Sequence, residues 1–265
     1  MNVARAVAVV TGTVTAAAMI ATPLVPRGGR QRRALSSVVV VAMAATTAAN
    51  AGARWGTARA LTALGAVGVT TTVIEGVGTA TGVPFGRYEY TDALRPRVGR
   101  VPAIVPLAWF AMAVPAREVA HAAIGPRSGR TSRVVVGAAA LTAWDLFLDP
   151  QMVGEGYWRW ARRGWYRGIP LGNYVGWFAT GLGVMAIIER ALPVADPVVG
   201  GLVDRTRRAP DASLVATYGL VGLMETIGFA RYFRDPVVAT IGGIGMLPLA
   251  AAAIVRQTRT RGATT

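Results

Sequence analysis

Four carboxyl groups fall where long apolar helices should run: Glu75, Asp145, Asp149 and Glu225 lie inside or at the ends of apolar blocks. A carboxylate in hydrocarbon is costly unless it faces a bundle interior, is paired or is protonated, so such acids mark candidate sites. At helical spacing Glu75 shares a stripe with Thr71, Thr72, Gly78, Thr79 and Gly82. A stripe this small and polar faces other helices, with Gly78 and Gly82 as a GxxxG contact. Asp145 and Asp149 stand one turn apart in the run DLFLD, beside Trp144. Two acids this close can share a proton or jointly hold a cation. Asp149 precedes Pro150, so capping a following helix is the competing reading for it. Glu225 has Gly222 and Gly228 on its face, and either pairs with an Arg of another span or takes part in chemistry. For Glu75 the competing role is a hydrogen bond to a neighbouring helix.

Other chemistries find little support. There is no Cys, hence no disulfide, thiolate site or thiol nucleophile. The single His, His121, lies three residues after Glu118, and two ligands do not make a metal site. No metal or cofactor is expected.

The elements that must carry these acids are membrane helices. Of 265 residues, 53% are hydrophobic and 15% charged, against about 25% charged in soluble domains; mean hydropathy is +0.43. The apolar residues come in blocks of about twenty, the length that crosses a bilayer as helix. Candidate spans are 6–26, 34–51, 60–82, 101–120, 134–149, 173–193, 212–233 and 236–255. The first could pass for a signal peptide, but no small-x-small cleavage site follows it, and it reads as a span. Spans five and seven carry carboxylates or aromatic-polar pairs, which leaves seven as the alternative to eight. The expected fold is therefore all-α: a polytopic transmembrane bundle of seven or eight spans, one integral membrane domain over 1–265, without a sheet, in the cell membrane.

All 28 basic residues are Arg, and the net charge of +15 sits almost wholly in short connectors. That suits anionic lipid headgroups. No polar segment is long enough to build a nucleic-acid-binding face. The Arg residues divide evenly between the two sides and assign no orientation. Connectors 84–100, 154–172 and, less so, 195–211 are rich in Trp, Tyr, Gly and Pro. Trp55, Trp158, Trp160, Trp165 and Tyr232 read as interfacial anchors, and residues 150–163 as a short interfacial helix begun by Asp149-Pro150.

Four motifs in order carry a resemblance: Glu75-Gly76 with Gly82-Val83-Pro84-Phe85-Gly86, Tyr88 and Tyr90; Val101-Pro102 through Pro106-Leu107-Ala108-Trp109; Trp144-Asp145 through Asp149-Pro150-Gln151-Met152; and Gly168-Ile169-Pro170 with Asn173-Tyr174 and Gly176-Trp177. Over residues 75–177 the chain resembles the carotenoid-biosynthesis membrane proteins that include the CruF-type and bisanhydrobacterioruberin hydratases. Tyr174 departs from the pattern, in which Phe is common. The resemblance implies a cofactor-independent hydro-lyase that adds water across the terminal double bond of an acyclic, bacterioruberin-type carotenoid and gives a tertiary alcohol. Its partners would be a carotenoid drawn sideways from the bilayer and other enzymes of the pathway.

Such a reaction needs an acid, a wall that tolerates a tertiary carbocation, and a positioned water. A carboxyl held neutral by an apolar surround can donate the proton; Asp145 ranks first and Glu75 second, with Asp149 and Glu225 as further candidates. Tyr88, Trp109, Trp144 and Trp177 can supply aromatic faces to the cation. Asn173 can orient the water, or simply cap a helix. Two alternatives remain. Asp145 and Asp149 form the DxxxD of a membrane prenyltransferase, although a second acidic cluster is missing. Intramembrane acids also form the relay of a transporter, although no internal repeat supports one.

Overall fold

The computed structural model describes residues 3–125, 127–194, 198–199, 202–203 and 209–262. They form eight long helices: α1 (Val3–Ala21), α2 (Arg30–Trp55), α3 (Thr57–Thr81), α4 (Ile104–Ile124), α5 (Arg130–Gly154), α6 (Leu171–Ala191), α7 (Ala212–Arg231) and α8 (Pro236–Gly262). A 3-10 turn, Thr22–Leu24, follows α1. Among the described residues seven helices are long and apolar enough to cross a membrane, and the protein is an integral membrane protein.

The helix that falls outside those seven is α4, whereas spans five and seven had looked weakest. The reason lies in its position. α4 packs against α2, α3, α5, α6, α7 and α8, and nearly every residue from Trp109 to Ala122 is buried. A helix wrapped by other helices need not be apolar for lipid, and this one carries Arg117, Glu118 and His121 inside the bundle. Arg117 Nε donates to Glu189 Oε1 at 2.8 Å, its guanidinium also bonds Glu118, and His121 Nε2 lies 2.7 Å from Glu189 Oε1. Arg133 reaches Glu189 Oε2 at 3.1 Å, and the Asp211 amide donates to Glu118 Oε2 at 2.6 Å. This network ties α4, α5, α6 and the start of α7 together at one end of the bundle. Arg is thus not confined to connectors: Arg32 and Arg117 are both buried.

Two connectors have a different form from the one expected. α5 runs through Pro150 to Gly154, so Asp149 sits within its last turns and caps no later helix. The segment read as an interfacial helix over 150–163 instead contains a strand, Trp158–Trp160, which pairs antiparallel with Tyr88–Tyr90. Tyr88 lies opposite Trp160, and Tyr90 opposite Trp158. We call these strands β1 (Tyr88–Tyr90) and β4 (Trp158–Trp160); β2 (Arg97–Val98) with β3 (Val101–Pro102) and β5 (Val198–Val199) with β6 (Leu202–Val203) form two further two-residue ribbons. Among the described residues the helical bundle therefore carries small ribbons and no large sheet. Most of the connector 195–211 lies outside the described residues.

Candidate active site

α3 ends at Gly82, whose φ of +86° is a left-handed cap and whose amide donates to the Gly78 carbonyl at 2.7 Å. The chain then folds back into the bundle. Phe85 is buried against Gly78, where an added Cβ would lie 3.0 Å from the ring, so Gly78 receives this loop. On the other side Gly176 of α6 meets the loop so closely that a Cβ would lie 2.7 Å from the Pro84 carbonyl oxygen. Held between α3 and α6, the loop delivers β1 across the end of the bundle to pair with β4. The ribbon continues at both ends, through Ala161 N to Arg87 O and Thr91 N to Tyr157 O, each 2.9 Å.

Strand alternation turns Tyr88 and Tyr90 toward Glu75. The Tyr90 hydroxyl donates to Glu75 Oε2 at 2.7 Å, Tyr88 donates to the same oxygen, and Trp109 Nε1 of α4 donates to Oε1 at 3.0 Å. Burial, together with the Glu75 carboxyl, holds the Tyr88 and Tyr90 hydroxyls well above their ordinary pKa, so both remain protonated donors. Glu75 is thus an acceptor with three donors converging on it.

The second acidic cluster is at the end of α5. One amide, Asn173 Nδ2 at the start of α6, donates to Asp145 Oδ2 at 2.8 Å and also to Asp149 Oδ2. Asp149 Oδ1 accepts from Trp158 Nε1 of β4 at 2.7 Å. Asp145 Oδ1, by contrast, is buried and has no hydrogen-bond partner among the described residues. An unpaired buried acceptor carries a desolvation penalty of about 1–3 kcal/mol.

Both clusters border one cavity of about 470 Å³, within the usual range for small-molecule sites. Of the residues singled out from sequence, Glu75, Tyr88, Trp109, Trp144, Asp149, Asn173, Trp177 and Glu225 line it. Asp145, ranked first, does not: it is fully buried behind Asp149. Trp109 and Trp177 stack with centroids 3.9 Å apart and planes 12° from parallel, and Trp144 meets Trp177 edge-on at 6.2 Å. Glu225 enters from α7, and among the described residues it has no hydrogen bond and no Arg partner of the kind considered for it.

Sequence reasoning missed Tyr90, Trp158 and Trp160 as wall residues, the last two having been read as interfacial anchors. Trp160 lies 5.1 Å from the Tyr88 ring and Trp158 5.7 Å from that of Tyr90. The signal was present in YEY and WRW, two short runs that alternate aromatic and charged residues with the period of a strand. Trp165, at 77% exposure, does point outward, whereas the half-exposed Tyr232 also lines the cavity. Trp55 is tied inward, donating to the Pro193 carbonyl at 3.0 Å beneath the Arg117 guanidinium.

A family model described as "Carotenoid biosynthesis protein" matches residues 32–247, which include every carboxyl of this cavity. A curated relative, bisanhydrobacterioruberin hydratase of Haloarcula japonica, is 34% identical over 160 residues, covering 58% of this chain and 53% of that protein. The match thus spans about half the length of that relative. No solved structure matches.

Proposed function

The chain belongs to the carotenoid biosynthesis protein family, and on that premise we propose that it is a carotenoid hydratase of the cell membrane. Its substrate is an acyclic carotenoid end group, and its product the tertiary alcohol. The observation that carries the reading is the apolar cavity in which tryptophan walls meet a pair of carboxyls held by one amide.

The chemistry follows from what each residue can offer. Asp149 is the member of the pair at the cavity wall, so it gives its proton to the less substituted alkene carbon; the O–H bond breaks and a C–H bond forms. Asp145, behind it, accepts from the same Asn173 amide, and the two carboxyls carry the proton as a pair. The remaining carbon becomes a tertiary cation, favoured by the electron-rich faces of Trp109, Trp144 and Trp177. Because the Asn173 amide hydrogens are taken by the two carboxyls, its carbonyl oxygen is left to accept from the attacking water. Water closes the C–O bond and returns a proton to the carboxylate pair. No electrons are transferred, so the cycle requires no redox cofactor. Glu225 gives the otherwise apolar α7 wall a second polar point, suited to the new hydroxyl.

Expression in a host that accumulates acyclic carotenes, followed by mass analysis of the pigments, tests the proposal. A gain of one water supports it, a prenyl increment would replace it with prenyl transfer, and unchanged pigment would point to transport.

A further inference from the structure

The site cavity is bordered on one side by Met19 and by Met43 and its neighbours on α2, and on another by Val221, Met224 and Glu225 of α7. Met19, Met43, Val221 and Met224 also border a second, smaller cavity of about 40 Å³, whose other walls include Gly12, Thr15 and Ala16 of α1 and Thr217 of α7. The two spaces share a wall of three methionines. Methionine is unbranched and adapts its shape, so this partition is the kind that yields to an inserted chain.

The helices that flank it show how the seam is built. Thr46 of α2 donates to Thr11 of α1 at 2.9 Å, and Gly12 rests beside Thr46, which joins α1 and α2 as one unit. α1 and α7 are clasped where both begin: Arg5 bonds Asp211 at 3.1 Å and Ser213 at 3.0 Å. Toward the site the two helices are parted by the cavities. Residues 217 to 224 on α7 and 12 to 19 on α1 each cover roughly 10 Å at 1.5 Å per residue, so the crevice prolongs the site cavity by about that length along the bundle. Its walls are apolar apart from Thr hydroxyls, and Thr217 spends its hydroxyl on the Ser213 carbonyl at 2.9 Å.

We propose that the seam between the α1–α2 pair and α7, opened past Met19, Met43 and Met224, holds the polyene shaft of the substrate while its end group lies among the tryptophans. This rests on the carotenoid reading above. An extended polyene is much longer than the end group that the site chemistry needs, and it must leave the cavity somewhere. The seam adjoins the cavity across the methionine wall, is apolar, and is adjacent to lipid through the exposed Leu220.

The chain has no Cys, so single thiols report on the seam without background. Thr217→Cys places a thiol in the crevice, Ala16→Cys a second one on α1, and Leu223→Cys a control on the exposed face of α7. The full-length protein in phospholipid vesicles is labelled with N-ethylmaleimide, with or without an acyclic carotene or a short branched alkene that carries only the end group. With the carotene at about ten times its dissociation constant, mass action slows Thr217→Cys or Ala16→Cys labelling about tenfold and leaves Leu223→Cys unchanged. The short alkene protects neither seam position. Equal labelling with and without carotene overturns the proposal, as does equal protection by both ligands. A seam thiol that stays unreactive without carotene while the control reacts overturns it too, since lipid or protein then fills the crevice. Protection is a binding readout: carotene that protects the seam but is never hydrated sinks the hydratase reading and leaves the seam assignment standing.

Discussion

Replacing Asp149 with Asn separates acid chemistry from packing at the cavity wall. Asn keeps the size of the side chain but has no proton to give an alkene. General acid catalysis is typically worth about 100- to 10,000-fold in rate, or about 3–5 kcal/mol of barrier, and an unactivated alkene belongs at the upper end. The structural cost is separate. Asp149 accepts from Trp158 Nε1 at 2.7 Å and from Asn173, and an Asn can turn only one oxygen toward two donors. One buried donor is left unpaired, at about 1–3 kcal/mol of stability. The assay is therefore product formed from an acyclic carotene per folded molecule, with folded protein measured by size-exclusion in detergent. Asp149→Asn is expected to lose at least about 100-fold, and Asp145→Asn, which removes the buried partner and not the group at the wall, to lose less. Hydration by Asp149→Asn at near the parent rate would refute the reasoning. If Asp145→Asn alone is inactive, the proton comes from Asp145, as its rank in the sequence suggested.

Gly176→Ala forces a methyl to within 2.7 Å of the Pro84 carbonyl and should destabilise by about 1–3 kcal/mol, read as a lower unfolding temperature; Gly183→Ala, with open space around it, should not. Arg117→Ala leaves Glu189 and Glu118 buried with reduced compensation, at about 3–5 kcal/mol, so the yield of folded protein should fall even though the substitution is far from the cavity. Tyr88 and Tyr90 have hydroxyl pKa values raised in the fold, so their contribution to stability is complete below the ordinary tyrosine value of about 10 and declines only as pH rises above it. Thermal unfolding measured from pH 8 to 11 should show that decline above about pH 10, and Tyr88→Phe should lessen it.

The sequence alone shows that this chain spans a membrane as helices, because blocks of about twenty apolar residues have few other stable forms. It also marked the acids, since a carboxyl in an apolar helix needs a reason to be there, and the order of four motifs pointed to a carotenoid-biosynthesis family. What those residues do for one another depends on contacts between distant segments. Whether Asp149 caps a helix or accepts from a tryptophan depends on α5 continuing past Pro150, which local cap signals argued against. That Glu75 gathers two tyrosines and an indole depends on β1 and β4, whose pairing joins segments about seventy positions apart and leaves only a three-residue alternation in each. And that Asp149 touches the cavity while Asp145 does not is a matter of one helical turn, where the same face reaches the site at its end and meets a packed α6 just before it.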